Sequence, residues 1–222
     1  ITILKFGNFK IDKTGDELTI SRGLLEQRQL TIQTKRVTAV RIVRNIFRQP
    51  FGYSAVYVES GGGGMNEEQG STLLFPLIKH KDINKVLENL LPNYYVFEPQ
   101  VRVPSRAFLR YQLRLLLWPV LLYAIILFYI PQYYVTGLLL VPLSLLAYMQ
   151  YRDAAAGTQG SLLLLKSRLF SQQYVLIRNN KIQSYTASMS PIQQIRGLAS
   201  ISVFILSSIR GKSFSLQDIN ER

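Results

Sequence analysis

The chain has 222 residues, with 26 Lys and Arg against 13 Asp and Glu, so its formal net charge is +13. It contains no cysteine and a single histidine, His80, which excludes a disulfide scaffold, a cysteine-ligated zinc site and a cysteine nucleophile. Hydrophobic residues make up 48% and charged residues 18% of the chain, a balance that argues against disorder. Because the chain begins at Ile1 rather than Met, we expect a fragment or a processed product.

The first 98 residues predict a mostly β domain. Short alternating segments bounded by turn residues are typical of strands, and we expect them at Phe9–Ile11, Leu18–Ile20, Gln29–Gln33, Val37–Val43, Ala55–Glu59 and Thr72–Leu77. The glycine-rich segment Ser60–Ser71 predicts a loop between two strands, and no Gly-Lys-Ser/Thr follows its glycines to make a phosphate loop. Helical spacing over Lys81–Leu91 predicts one helix, which Pro92 ends.

A basic cluster lies within this β domain: Lys35, Arg36, Arg41, Arg44 and Arg48. One interpretation is a surface for lipid or another polyanion. The other is the ordinary polar face of a strand and the turn after it. His80, between the last strand and the helix, is expected to be a surface or helix-start residue, because no further metal ligands occur at suitable spacing.

Two uncharged apolar runs follow, Leu115–Ile130 and Tyr133–Met149, separated only by Pro131-Gln132. A helix that crosses the hydrocarbon core needs about 20 residues, so the runs predict a two-helix membrane hairpin with a two-residue turn. Aromatic residues at the ends of the runs are typical of membrane interfaces. The alternative is a buried helical hairpin in a soluble core, for which the chain is short.

Basic residues flank the hairpin on both sides. Arg102, Arg106, Arg110 and Arg114 precede it, and Arg152, Lys166 and Arg168 follow it. The excess of Lys and Arg predicts that both flanks lie in the cytoplasm. The four preceding arginines recur every four residues, so on one helix they would form a stripe. This stripe is either a handle for anionic lipid headgroups or a topology signal alone.

An internal repeat relates the two halves of the chain. A shift of 145 positions places Leu18 on Leu163 and Val56 on Ile201. After a shorter loop, the match continues with Phe214–Leu216 on Phe75–Leu77 and Asp218–Asn220 on Asp82–Asn84. The second half therefore predicts a second copy of the first domain, whose closing helix we expect to be missing from this chain.

Residues 180–184 (NKIQS) and 190–199 (SPIQQIRGLA) carry a recognisable motif, with a looser copy at 34–40 (TKRVTAV) and 49–53 (QPFGY). It resembles the signature of the bacterial pleckstrin-homology-like (PH-like) membrane-flanked domain. The resemblance implies an α+β fold: two small barrels of orthogonal antiparallel sheets, each closed by a C-terminal helix, separated by the transmembrane hairpin. We expect domains at 1–98 and 153–222, with the juxtamembrane helix and hairpin at 99–152. Larger relatives are expected to carry further copies.

The chain shows no arrangement typical of an enzyme. After residue 110 the acidic residues are Asp153, Asp218 and Glu221, and no acid–base pair or metal ligand set is indicated. We therefore expect neither a catalytic residue nor a cofactor. The positive charge is dispersed over both halves, which favours a membrane surface over a nucleic acid as partner.

These observations lead to a hypothesis of function. The chain is expected to be a non-catalytic multi-pass protein of a bacterial cell membrane, whose cytoplasmic PH-like domains organise protein or anionic-lipid partners. The resemblance adds a role in defence against membrane-active peptides or bacteriocins. The candidate binding residues are eight arginines: Arg41, Arg44, Arg48, Arg102, Arg106, Arg110, Arg114 and Arg152.

Two other functions stay open. The chain could be a component of a transporter or exporter complex, although no ionisable residue within the runs marks a pathway. It could also recognise a membrane-protein partner, or a second copy of itself, through exposed sheet edges.

Overall fold

The computed structural model describes residues 9–22, 28–61, 71–207 and 211–220. The first half contains three strands in one antiparallel sheet, β1 (Lys10–Thr14), β2 (Glu17–Arg22) and β3 (Arg28–Gln33). Three more follow, β4 (Val37–Arg44), β5 (Tyr53–Ser60) and β6 (Ser71–Lys79), and then helix α1 (Ile83–Leu90). The predicted strands and the predicted helix are thus confirmed, while most of the predicted glycine-rich loop, residues 62–70, lies outside the described residues.

The second half repeats this order of strands. After the short β7 (Val101–Arg102) and the apolar hairpin come six strands: β8 (Ala155–Gln159), β9 (Leu162–Arg168), β10 (Gln172–Arg178), β11 (Ile182–Ser188), β12 (Leu198–Ile205) and β13 (Lys212–Asn220). The last three form a separate antiparallel sheet, preceded at β12 by the short helix α4 (Pro191–Ile195). The fold is therefore α+β, with PH-like sheets on both sides of a two-helix hairpin.

The two halves are joined through a continuous seven-stranded sheet in the order β6-β5-β4-β10-β9-β8-β7. The junction is the antiparallel pair β4–β10, in which Arg44 faces Gln172 and Ala39 faces Ile177. Successive side chains of a strand point to opposite faces, so Tyr174 and Leu176 enter one hydrophobic core while Val175 and Ile177 enter the other. Because both cores use this sheet, the division of the chain at residues 98 and 152 stays a prediction.

The final part of the repeat alignment is wrong. Phe214 pairs with Val203 on the last sheet, as Thr72 pairs with Val58 in the first half, so Phe214 is equivalent to Thr72 and not to Phe75. Asp218–Asn220 lie within β13, whereas Asp82 lies in the 3-10 turn before α1. The cause is the loop before β13, which is shorter than the corresponding loop between β5 and β6 by fewer residues than the alignment assumed.

The apolar hairpin consists of α2 (Phe108–Tyr129), a 3-10 segment (Pro131–Leu139) and α3 (Leu140–Asp153). With 22 residues, α2 is about 33 Å long at 1.5 Å per residue. Two helical segments, Ser105–Tyr129 and Tyr134–Asp153, are long and apolar enough to cross a membrane, and most of their side chains are exposed. This exposure contradicts the alternative of a hairpin buried in a soluble core.

The turn of the hairpin differs from the predicted two-residue turn. The chain leaves α2 at Ile130 and continues as the nine-residue 3-10 segment before α3 begins. The Tyr123 hydroxyl donates a hydrogen bond to the Tyr134 carbonyl at 2.8 Å. A Cβ at Gly137 would lie 2.5 Å from that hydroxyl oxygen, so glycine permits the tyrosine to pack against the segment.

Candidate functional site

A cleft of about 970 Å³ lies where the end of α3 meets the central sheet. Its apolar wall is the last part of α3, with Leu145, Tyr148 and Met149. Five cationic side chains line the remainder: Arg44, Arg102, Arg152, Lys166 and Arg168. Two carboxylates, Glu98 and Asp153, also line it, so the cleft keeps a net excess of three positive charges.

The topology explains why these cations converge. Arg44 is the last residue of β4, and Arg168 is the last residue of β9, and both face Gln172 of β10 in the sheet register. Arg152 lies in the last turn of α3. Arg102 lies on β7, which pairs with β8 directly after α3. One end of the sheet therefore collects charges from segments that are distant in sequence.

Asp153 is the internal counter-charge of the cleft. It is buried and binds the Nε of Arg168, the Lys166 ammonium at 3.3 Å and the Gln172 amide at 2.6 Å. Arg168 is itself buried and also donates to the Gln49 side chain at 2.9 Å. Since a buried charge requires a partner, Arg168 and Asp153 hold the floor of the cleft rather than offering free charge.

Three arginines have no such counter-charge. Among the described residues, neither Arg102 nor Arg152 makes a hydrogen bond or ion pair. Arg44 donates to the neutral Gln172 side chain at 3.3 Å, and its Nε has no partner in the described part of the chain. These three guanidinium groups remain able to bind an anion.

His80 lies at the inner wall of the cleft. It opens the 3-10 turn before α1, as a helix-start residue would, and its Nδ1 lies 3.1 Å from the Ser54 hydroxyl. Burial, followed by the positive charges of Arg44 and Lys166, lowers the pKa of His80 from its ordinary value of 6.5. The neutral imidazole is therefore favoured, and its pKa responds to the potential in the cleft.

The predicted cluster in the first domain is divided. Arg44 enters the cleft, but Arg41 pairs with the fully buried Glu59 at 3.3 Å and lies over the Tyr57 ring. Arg48 donates to the Pro76 carbonyl at 2.9 Å on an exposed loop. Arg41 and Arg48 thus have protein partners outside the cleft.

The predicted arginine stripe does not form on one helix, because Arg102 belongs to β7. The other three arginines contact the second domain. Arg110 and Arg114 bind the carboxylate of Asp218 at 2.9 and 2.7 Å, and Arg106 donates to the Gly197 carbonyl at 3.0 Å. These contacts attach the start of α2 to the last sheet.

Asp218 is the centre of this attachment. It is fully buried, and it also accepts a hydrogen bond from Gln193 at 2.8 Å. Its backbone φ is +61°, a conformation that Asp and Asn tolerate better than most residues. The sequence alignment placed Asp218 before a helix, and this hid its role as the partner of the two arginines.

Of the eight predicted binding residues, the structure brings Arg44, Arg102 and Arg152 together. Sequence reasoning missed Lys166 and Arg168 as members of the same site, because it treated them only as a topology signal. Lys166 and Arg168 are two residues apart on β9, so their side chains lie on one face of the strand. This spacing could have indicated that they belong to one site. No group of three or more His, Asp or Glu side chains that could hold a metal occurs in the described segments.

The fold and its site define a membrane-associated protein with two PH-like domains. The model of the family described as the bacterial PH domain matches residues 1–94 and 116–220, so the chain belongs to this family. It is 34% identical over 222 residues to the UPF0699 transmembrane protein YdbT of Bacillus subtilis (strain 168). The match covers 99% of this chain and 45% of that relative, so the chain spans less than half the relative's length. No solved structure matches the chain.

Proposed function

We propose that this chain is a non-catalytic membrane protein that binds an anionic lipid headgroup in the cleft between its PH-like domains and α3. The observation that carries the proposal is the convergence of Arg44, Arg102 and Arg152, without protein counter-charges among the described residues, beside the apolar end of a helix long enough to help span a bilayer.

The chemistry of the cleft fits an amphiphile. Guanidinium groups bind phosphate oxygens through paired, charge-assisted hydrogen bonds. The exposed Leu145 and Tyr148 on α3 would contact an acyl chain that runs along the helix toward the bilayer. A soluble anion would use the arginines only, whereas a phospholipid would use both walls.

The same geometry supports a cytoplasmic position for both domains. A two-helix hairpin places both of its flanks on one side of the membrane. The cationic cleft lies at that side, and the cytoplasmic leaflet carries anionic lipids with which basic residues interact by about 1 kcal/mol each. The domains would then report the anionic lipid content of this leaflet to a protein partner.

A transport role has less support. The uncharged runs predicted from sequence contain no Asp, Glu, Lys, Arg or His, and Gln112 and Ser144, which join the two helices at 3.2 Å, are neutral. A role in defence against membrane-active peptides stays a prediction, since no described feature bears on it.

The test uses the full chain, because β4 pairs with β10 and the first domain alone would lose this edge. The protein is reconstituted in nanodiscs of equal phosphatidylglycerol and phosphatidylcholine, extracted mildly, and analysed by native mass spectrometry for retained lipid. We expect preferential retention of phosphatidylglycerol, and a loss of this preference in an Arg44→Gln/Arg152→Gln variant.

The matched control is Lys10→Gln/Lys85→Gln, which removes the same charge from exposed positions outside the cleft and outside the loops at its end of the sheet. It should retain the wild-type preference. Equal loss in both variants, or no preference in the wild type, would overturn the proposal.

A further inference from the structure

Two loops at one end of the central sheet expose large apolar side chains. The loop between β4 and β5 contributes Phe47, 82% exposed, and Phe51, 75% exposed. The loop between β9 and β10 contributes Leu169, 68% exposed, and Phe170, 63% exposed. With Ile46, these residues are called the apolar rim. Large exposed apolar side chains grouped in this way mark an interaction surface.

The rim is attached to the end of the hairpin. The Gln150 side chain in the last turns of α3 donates to the Leu169 carbonyl at 2.9 Å. Arg168, which binds Asp153 at the end of α3, donates to the Phe170 carbonyl at 3.4 Å and to Gln49 of the other loop at 2.9 Å. Both loops are thus held beside the point at which the apolar run of α3 ends.

The opposite end of the same sheet is different. There the described connections are the turn at residues 159–161 (QGS) and the 3-10 turns Thr34–Arg36 and Asn179–Lys181, while most of the loop between β5 and β6 lies outside the described residues. These turns are polar, and Asn179 and Asn180 are exposed. Among the described connections of the sheet, exposed apolar side chains therefore lie at the hairpin end and polar ones at the far end. An asymmetry of this kind is expected of a domain with one end in an apolar environment.

We propose that the apolar rim inserts into the interfacial layer of the bilayer that the hairpin spans. The occupant of the surface is lipid, because hydrogen bonds from Gln150 and Arg168 hold the rim beside the end of α3, a helix apolar enough to cross a membrane. Phe and Leu side chains on an inserted element enter the boundary between headgroups and acyl chains. This contact is independent of the proposed headgroup site, because it depends on apolar burial rather than on charge.

The test is depth-dependent quenching of a single tryptophan. Trp118 is the only tryptophan in the chain, so Trp118→Phe provides the background. Phe170→Trp and Phe47→Trp place reporters on the rim, and Asn180→Trp places a control on the far end of the sheet. All three positions are exposed, so each variant of this chain should fold. The proteins are reconstituted in phosphatidylcholine vesicles with and without brominated acyl chains.

We expect a blue-shifted emission and at least about threefold stronger bromine quenching for the two rim reporters than for the control. The difference should persist at high salt and without anionic lipid, which separates it from headgroup binding. Equal quenching at the rim and the far end would overturn the inference. A blue shift without bromine quenching would overturn it as well, since a second copy or another protein would then cover the rim.

Discussion

Two sets of arginines lie beside the same hairpin and have opposite surroundings. Arg106, Arg110 and Arg114 at the start of α2 bind the second domain. Around the cleft, Arg44, Arg102 and Arg152 have no carboxylate partner among the described residues. The residue type is the same in both sets, so the presence of a buried carboxylate with no other cation decides whether an arginine attaches one part of the protein to another.

Desolvation explains the difference. Asp218 is fully buried, and an ionised carboxylate in that position requires cations and hydrogen-bond donors. Arg110 and Arg114 meet this requirement and are held in place by it. The cleft has its own buried acid, Asp153, but Arg168 and Lys166 already neutralise it. The remaining cleft arginines therefore have no carboxylate partner among the described residues.

The largest effect is expected from Asp218→Asn. The amide keeps the shape and tolerates the positive φ, but it leaves Arg110 and Arg114 without their counter-charge. Removing one partner from a buried ion pair costs about 3 kcal/mol, which should appear as a lower unfolding midpoint in detergent. The control Asp12→Asn, on an exposed strand position, should change stability by less than about 0.5 kcal/mol. Equal unfolding midpoints for the two variants would show that Asp218 does not stabilise the attachment of α2 to the last sheet.

Neutralising arginines in the cleft should weaken lipid binding and leave the stability of the fold nearly unchanged. Arg44→Gln/Arg152→Gln is expected to weaken the preference for anionic lipid by about 2 kcal/mol, or roughly 30-fold, at about 1 kcal/mol per basic residue. The unfolding midpoint should stay near that of the wild type, because neither guanidinium binds a buried carboxylate. If this variant has a lower unfolding midpoint and keeps its lipid preference, the cleft arginines are structural and do not bind lipid.

Added salt should weaken the interactions of the cleft arginines more than those of the arginines that bind Asp218, although the effect is smaller than that of the substitutions. The Debye length falls from about 10 Å at 0.1 M to about 3 Å at 1 M, so lipid preference at the open cleft should decline several-fold over this range. The buried Asp218 pairs are screened far less, and the unfolding midpoint should change little. Parallel titrations of lipid preference and thermal unfolding measure this difference, and a parallel loss of both would contradict it.

The smallest effect concerns acid stability. The pKa of His80 is lower in the folded protein than the ordinary value of 6.5, so its neutral form stabilises the fold above about pH 6.5, and this stability is lost as the pH falls through the folded value. The wild type should therefore lose more stability than His80→Asn between pH 7.5 and 5. Chemical denaturation at both pH values measures the difference, and an equal loss in the two proteins would contradict it.

The strands and the apolar helices were predictable because local patterns define them. Alternation marked β2 and β3, and uncharged runs marked α2 and α3, whose side chains are mostly exposed. The resemblance of residues 190–199 to a known motif then indicated the fold of both halves. These signals lie within short windows of the chain.

The cleft was not predictable to the same degree. Arg44 and Arg168 are brought together by the pairing of β4 with β10, and the apolar pattern of a strand does not identify its partner in another domain. Asp218 was misplaced because the alignment misjudged the shortening of a loop by a few residues. Without the position of Asp218, the sequence could not show that Arg110 and Arg114 were already paired.

NMR of His80 tests headgroup binding in the cleft most directly. Because the chain has one histidine, histidine-labelled protein gives one imidazole signal from the wall of the cleft. In phosphatidylcholine nanodiscs its pKa should lie below 6.5, and phosphatidylglycerol should raise it as a phosphate enters between Arg44, Arg102 and Arg152. A His80→Asn/Lys85→His variant reports the general surface potential from an exposed site on α1. Headgroup binding in the cleft should raise the pKa more at His80 than at this reporter, and equal shifts at both sites would contradict it.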